Sequence, residues 1–71
     1  MLTYDLQKGS VPLYEQLYVG IRRDIERGRI APGERLPSKR QLARHLNVSI
    51  ITVEGAYDQL VAEGYVRAEA R

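Results

Sequence analysis

A cluster of basic residues in the middle of the chain is the clearest candidate for chemistry. One eleven-residue stretch contains no Asp or Glu, and its basic residues are Arg35, Lys39, Arg40, Arg44 and His45. Lysine and arginine donate hydrogen bonds to phosphate groups, and the planar guanidinium can also bind the O6 and N7 atoms of a guanine together. A run of charges is otherwise a solvated surface. The cluster therefore predicts phosphate binding only if the fold gathers it on one face.

Two serines precede helical sequence and are better explained as helix caps than as nucleophiles. Ser38 is followed three residues later by Gln41, the spacing of a capping box, and Ser49 opens the next helical run. A capped N-terminus directs free N–H groups and the positive end of the helix dipole outward, where they can bind phosphate. No nucleophile in the sequence has a base with an orienting partner, so we expect no catalytic residues and no enzyme activity.

The amino-acid composition excludes several classes of protein and of binding site. His45 is the single histidine and there is no cysteine, so we expect no metal site and no disulfide. The 71 residues carry a net charge of only +2, and they form one small domain at most. No apolar run is long enough to predict a membrane span, and no leader resembles a signal peptide. These features are typical of a cytoplasmic protein with no membrane partner.

Three helices should position the basic cluster. Pro12 fits the first turn of a helix that runs to about Arg27, with Ser10 as its cap and Gly28 as its stop. The second helix follows Ser38 and ends at Leu46, and the third runs from about residue 50 to 63. Asn47 lies at the tight turn between them, where positive φ is often needed. Spacing of the apolar residues predicts a helix-turn-helix, with Leu42, Ala43, Leu46, Val48, Val53 and Ala56 as its inner positions.

Extended segments are predicted at three places. Leu2, Tyr4 and Leu6 alternate with polar residues, which predicts an N-terminal arm or strand over residues 1–10. A very short strand is expected at Arg35–Leu36, and a longer one from Tyr65 to Glu69. The fold class is thus mainly α, with one domain over 1–71 whose core spans 11–66. Three tyrosines, Tyr14, Tyr57 and Tyr65, are expected in the core.

The outer side of the third helix is small, apolar and hydroxylic near its N-terminus. Ile51, Thr52 and Gly55 fall on the side opposite the apolar stripe. Short side chains allow a helix to approach base edges, and an exposed isoleucine is unfavourable unless something covers it. Gly55 lowers helix propensity by ~1 kcal/mol relative to alanine, so we expect a close neighbour there.

Four segments together resemble a known family. PLYEQL, PGERLPSKRQLARHL, VSIITVEGAYDQL and AEGY (residues 12–17, 32–46, 48–60 and 62–65) are similar to the N-terminal winged helix-turn-helix of GntR-family bacterial transcription regulators. Within that family the run over residues 52–65 is most similar to the MocR type, whose members carry a second, aminotransferase-like domain that binds pyridoxal phosphate. The resemblance implies a mainly α winged helix-turn-helix whose truncated β-wing starts at 67–71. It also implies double-stranded DNA as the partner and a homodimer in the full-length protein. It implies no cofactor in this chain.

The resemblance also implies roles for individual residues. In relatives the positions of Ser38, Lys39 and Arg40 contact phosphates, and the Arg40 position also reaches a base. The positions of Ser49, Ile50, Thr52 and Glu54 enter the major groove. Arg44, from the basic cluster, and Ile51, on the outer side of the third helix, are also predicted to bind DNA.

Two positions depart from the family pattern. Many relatives have arginine where this chain has Ile50 and Glu54. A branched apolar side chain can contact a thymine methyl, and a carboxylate can accept a hydrogen bond from cytosine N4. Glu54 could instead pair with Arg40 or Arg44, the alternative we favour, or act against wrong sequences.

The sequence as a whole predicts sequence-specific DNA binding by a transcription regulator. The third helix would lie in the major groove and the basic cluster along the phosphates. The alternative is a winged helix that binds another protein through Ile50, Ile51 and Gly55, without specific DNA binding.

Overall fold

Three helices form the architecture in the computed structural model, which describes residues 2–67. Helix α1 spans Leu13–Glu26, α2 spans Lys39–Leu46 and α3 spans Ile50–Ala62. Helix α3 packs against both of the others. This arrangement confirms the mainly α helix-turn-helix prediction and places the N-terminal turn of α3 beside α2.

The start of α1 differs from the sequence prediction. Ser10 makes no cap, because Pro12 occupies the capping position with φ −57° and no side chain caps the helix. The carbonyl oxygen of Pro12 instead accepts the backbone N–H groups of Glu15 and Gln16 at 3.1 and 3.2 Å. At the other end Gly28 adopts φ +79°, as expected of a residue that stops a helix.

The connection between α2 and α3 is set by its own residues. The Ser38 hydroxyl accepts the N–H of Gln41 at 3.1 Å and the Gln41 side chain returns to the N–H of Ser38, so the capping box is complete. Asn47 is left-handed, with φ 58° and ψ 47°, and the N–H of Val48 then reaches the carbonyl oxygen of Ala43 at 3.0 Å. Ser49 caps α3 by accepting the N–H of Thr52 at 3.1 Å. These contacts fix the relative direction of the two helices.

The core lies between α1 and the helix-turn-helix. Its buried residues are Leu17, Tyr18, Ile21, Ile30, Leu42, Ala43, Val53, Ala56 and Leu60. Tyr57 and Tyr65 are only partly buried at the edge of this core. Tyr14 is 40% exposed, so its expected place in the core was wrong. It lies at the N-terminal end of α1, beyond the first buried residue of that helix.

The N-terminal segment is an extended arm that lies across the helices. The ring of Tyr4 covers Gly20, and the Tyr4 hydroxyl donates a 2.7 Å hydrogen bond to Oδ2 of Asp24. Gln16 holds the arm by accepting the N–H of Gln7 at 2.9 Å and donating to the carbonyl oxygen of Gln7 at 2.7 Å. The alternation of Leu2, Tyr4 and Leu6 therefore reflects packing against the hydrophobic core rather than strand pairing.

No strand is present among residues 2–67. The strand predicted at Arg35–Leu36 was wrong, since this segment forms part of an irregular loop. Of the strand predicted from Tyr65 to Glu69, residues 65–67 are irregular and residues 68–69 lie outside the described residues. The N–H groups of Tyr65 and Val66 both point to the carbonyl oxygen of Leu60, at 2.9 and 3.4 Å. These two N–H groups are therefore used at the C-terminal end of α3, so they are not free to hydrogen-bond to a neighbouring strand.

Candidate nucleic-acid interface

The N-terminus of α2 presents the predicted phosphate-binding residues at the surface. Ser38 is the cap, and Lys39 and Arg40 are the first two helical residues. The N–H groups of a first helical turn have no intrahelical acceptor, and here the Ser38 hydroxyl takes the N–H of Gln41. Lys39 and Arg40 thus combine cationic side chains with backbone donors at the positive end of the helix dipole.

The remaining cations follow along the same helix. Arg40 and Arg44 are exposed and lie one turn apart, so they share one face of α2. His45 is exposed and lies within 2.9 Å of the Thr3 hydroxyl, from its Nε2 atom to Oγ1. That contact joins the arm to the end of α2. The side chains of Arg40 and Arg44 extend the positive surface away from α3.

The N-terminal turn of α3 has a closed polar cap and an open apolar surface. The Ser49 and Thr52 hydroxyl oxygens are 3.0 Å apart, and Ser49 Oγ also accepts the N–H of Thr52. Ile50 is 40% exposed and Ile51 is 73% exposed. The expected exposure of Ile51 is confirmed, and the first turn of α3 projects methyl groups rather than polar ones.

Glu54 pairs with a different cation from the one we favoured. Its Oε2 atom lies 3.8 Å from Nζ of Lys39, and about half of each side chain remains exposed. The expected pair with Arg40 or Arg44 was wrong: Lys39 is on the side of α2 that approaches α3, whereas the two arginines are on its exposed side. The N-terminal turns of α2 and α3 are therefore linked at one surface by opposite charges.

Tyr57 has a positioning role that the sequence did not reveal. Its hydroxyl donates a 2.7 Å hydrogen bond to the carbonyl oxygen of Pro37, the residue before the Ser38 cap. Burial raises the pKa of Tyr57 to about 12. A tyrosine at a core edge commonly bonds through its hydroxyl, but its partner depends on how α3 meets the loop, which composition does not specify.

Gly55 makes the close approach that was expected of it. A Cβ atom added at Gly55 would lie 3.3 Å from Cβ of Tyr14 and 3.4 Å from the Tyr14 ring. The absence of a side chain at position 55 thus lets Tyr14 of α1 pack closely on α3, and a larger residue would push it outward by a few tenths of an ångström. A shallow apolar groove remains beside this contact, lined by Pro12, Leu13, Tyr14, Ile51, Thr52 and Gly55.

Comparisons with known proteins identify the arrangement. The family model of bacterial regulatory proteins of the gntR family matches residues 13–71. The chain belongs to the GntR family. The structure of YtrA from Sulfolobus acidocaldarius, a GntR-family transcription factor, superposes with a TM-score of 0.84 at 39% identity and covers 90% of this chain and 68% of that one. The predictions of family and of a winged helix-turn-helix fold are confirmed.

Two curated GntR-type relatives are much longer than this chain. The HTH-type transcriptional regulator YhdI of Bacillus subtilis is 51% identical over 65 residues, which are 92% of this chain and 14% of that protein. The probable rhizopine catabolism regulatory protein MocR of Rhizobium meliloti is 40% identical over 70 residues, or 99% of this chain and 14% of that protein. The chain therefore matches about one seventh of each relative.

Metal-binding and membrane-spanning features are absent from residues 2–67 of this GntR-family chain. Across the described residues no group of three or more His, Cys, Asp or Glu side chains is placed to hold a metal ion. Within the same range no helix combines the length and the apolar character needed to cross a bilayer.

Proposed function

We propose that this chain is the sequence-specific DNA-binding head of a bacterial GntR-type transcription regulator. The N-terminal half of α3 enters the major groove, and the N-terminus of α2 binds the adjacent phosphates. The observation that carries the proposal is the Lys39–Glu54 contact of 3.8 Å, because it brings two serine-capped helix N-termini to one exposed surface. A helix-turn-helix docks on DNA with this surface.

The proposed roles follow from exposure and charge. Ser38, Lys39 and Arg44 hold phosphates, and Arg40 also reaches a base edge with its bidentate guanidinium. Ser49 and Thr52 cap α3 and set its depth in the groove. Side-chain contacts to bases come from Ile50, Ile51 and Glu54.

A protein-binding module is the second candidate, and one observation favours it. Ile51 is 73% exposed and borders the apolar groove beside Tyr14. An exposed apolar patch often marks a protein interface. The two functions predict different responses to salt. Affinity for DNA should fall steeply as salt rises because phosphate binding releases counterions, whereas an apolar interface releases none.

The test uses the 71-residue chain and a random DNA library. Bound sequences are selected and their affinity is measured by fluorescence anisotropy against shuffled DNA at several salt concentrations. We expect an enriched motif and an affinity that falls steeply with salt, with a slope of about −0.9 per phosphate contacted. Arg40→Ala should weaken binding, whereas Arg23→Ala, which removes an exposed cation on α1, should change it little. Absence of an enriched motif, or salt-independent binding, would reject the DNA-binding function.

The rest of the regulator is also part of the proposal. A single head reads few base pairs, so the full-length protein should act as a homodimer on paired half-sites. The similarity to MocR supports a following aminotransferase-like domain, and any pyridoxal phosphate would be bound in that domain. Action on bacterial DNA would place the protein in the cytoplasm.

A further inference from the structure

The reading surface of α3 is unusual because it offers no positive charge. The helix sequence over Ile50–Ala62 contains Glu54 and Asp58 but no Lys, Arg or His. At its N-terminal turn the hydroxyls of Ser49 and Thr52 share one hydrogen bond, which uses one of their two protons. Besides these hydroxyls, this end of the helix exposes a carboxylate and the methyl groups of two isoleucines.

Such a surface offers guanine no cation and at most one neutral hydroxyl donor. Guanine presents the O6 and N7 acceptors in the major groove, and a carboxylate there would be repelled rather than bound. Adenine presents the N6 amino donor, but its N7 acceptor lies beside that donor. The edge of cytosine itself carries the N4 amino donor and no acceptor, and thymine presents its C5 methyl group. The chemistry of α3 thus matches cytosine and thymine.

Placing a carboxylate next to DNA is unfavourable unless a cation accompanies it. Lys39 supplies that cation from α2, with its Nζ atom 3.8 Å from Oε2 of Glu54. The Glu54 side chain is 48% exposed, so the pair leaves part of the carboxylate open to the groove. Lys39 sits at the first position of α2, where it can face Glu54 and the phosphates together.

We propose that Glu54 accepts a hydrogen bond from the N4 amino group of a cytosine, and that Ile50 and Ile51 contact neighbouring thymine methyl groups. Lys39 is the positioning residue, which orients the carboxylate and offsets its repulsion by phosphates. The inference rests on the proposed DNA-binding function and specifies the bases that this helix selects.

The main test compares two neutralised variants in the same library selection. Glu54→Gln and Asp58→Asn each remove one negative charge from the exposed side of α3. The unmodified chain should prefer cytosine at one position by about 5- to 150-fold, the usual cost of one mismatched base pair. Glu54→Gln should replace that preference with adenine, which glutamine binds through N6 and N7. Asp58→Asn should keep the cytosine preference.

The outcomes separate this inference from the proposed function. If both variants raise affinity for every sequence equally, Glu54 only repels DNA and the cytosine contact is rejected. If the unmodified chain selects no motif, the DNA-binding function itself has failed. If a motif is selected but Glu54→Gln does not change its preference for cytosine, or it has no such preference, the inference is overturned and the DNA-binding function stands.

The role of Lys39 has its own readout. Lys39→Ala should lower affinity for all sequences and also reduce the preference for cytosine several-fold. Arg44→Ala, on the exposed side of the same helix, should lower affinity but leave the base preference unchanged. If Lys39→Ala and Arg44→Ala both keep the preference for cytosine, Lys39 is not the positioning residue.

Thymine contacts are tested through the DNA. Replacing each thymine of the selected site with uracil removes only the C5 methyl group, and at one or two positions this should lower affinity. Ile51→Ala should abolish that sensitivity at its position, since the contact is already lost. If no uracil substitution changes affinity, the isoleucines do not read thymine.

Discussion

The hydroxyl of Tyr57 on α3 donates a 2.7 Å hydrogen bond to the carbonyl oxygen of Pro37, immediately before the cap of α2. Through this bond α3, the helix proposed to enter the major groove, fixes the position of Pro37. That residue leads into α2, whose N-terminus is proposed to hold phosphates. The N-terminus of α2 and helix α3 are therefore held together by this bond, and their spacing does not depend on the Asn47 turn alone.

Tyr57→Phe should separate these effects. It removes the hydroxyl and keeps the ring, so the free energy of unfolding should fall by ~0.5–1.5 kcal/mol, the net value of a hydrogen bond. Specific DNA affinity should fall as well, because the N-terminus of α2 becomes less fixed. Tyr65→Phe is the matched control, since that hydroxyl bonds Glu26 at 3.1 Å on α1. Urea unfolding and anisotropy provide both readouts, and equal affinities for the two variants would contradict the positioning role.

Tyr57 should also make the free energy of unfolding depend on pH in the alkaline range. The pKa of Tyr57 is raised from 10.0 to about 12 by burial, so the folded state keeps its proton at pH values where the unfolded chain loses it. This contribution to stability is complete below pH 10 and is lost as pH rises toward 12. Burial and the bond to Asp24 also raise the pKa of Tyr4, which adds in the same direction. Urea unfolding at several pH values should show a fall in stability that is smaller in Tyr57→Phe.

Attachment of the N-terminal arm should depend on Gly20. A Cβ atom at that position would lie 2.8 Å from Cδ1 of Tyr4, too close for the ring to stay in place. Gly20→Ala should release the arm while α1 itself is favoured by ~1 kcal/mol of helix propensity. Limited proteolysis should then cut the arm faster, with helix content by circular dichroism retained. Gly9→Ala, where nothing lies within 4 Å, is the control, and equal cleavage of both variants would contradict the prediction.

The parts of this structure that sequence predicted correctly are those set by neighbours along the chain. The capping box of Ser38 and the left-handed Asn47 each follow from a few adjacent residues. The partner of Glu54 and the exposure of Tyr14 were predicted wrongly because both depend on how separate helices meet. Helical periodicity predicted the buried face of α1 correctly. It could not show that α3 leaves Tyr14, at the N-terminal end of that face, 40% exposed.

The turn between α2 and α3 gives a direct stability prediction. Asn47 has φ 58°, a conformation that costs an ordinary L-residue ~1–2 kcal/mol. Asn47→Ala should therefore lower the free energy of unfolding by ~1 kcal/mol, whereas Asn47→Gly should be nearly neutral because glycine adopts this conformation freely. Thermal or urea unfolding distinguishes them. An alanine variant as stable as the glycine variant would mean that the turn can change conformation without loss.

Base reading by α2 should rest on Arg40, which is exposed at the second position after the Ser38 cap. Arg40→Ala should weaken binding to the selected site by ~1–3 kcal/mol and relax the preference for guanine at one position, as expected when a bidentate contact is lost. Arg44 lies one turn further along α2 and should contact phosphate alone. Arg44→Ala should thus weaken specific and shuffled DNA alike and lower the salt slope by about one. Because both arginines are exposed and carry the same charge, a purely electrostatic role would make the two variants indistinguishable. If anisotropy finds the same losses on specific and shuffled DNA for Arg40→Ala, Arg40 is a phosphate contact, and guanine is not read by this helix.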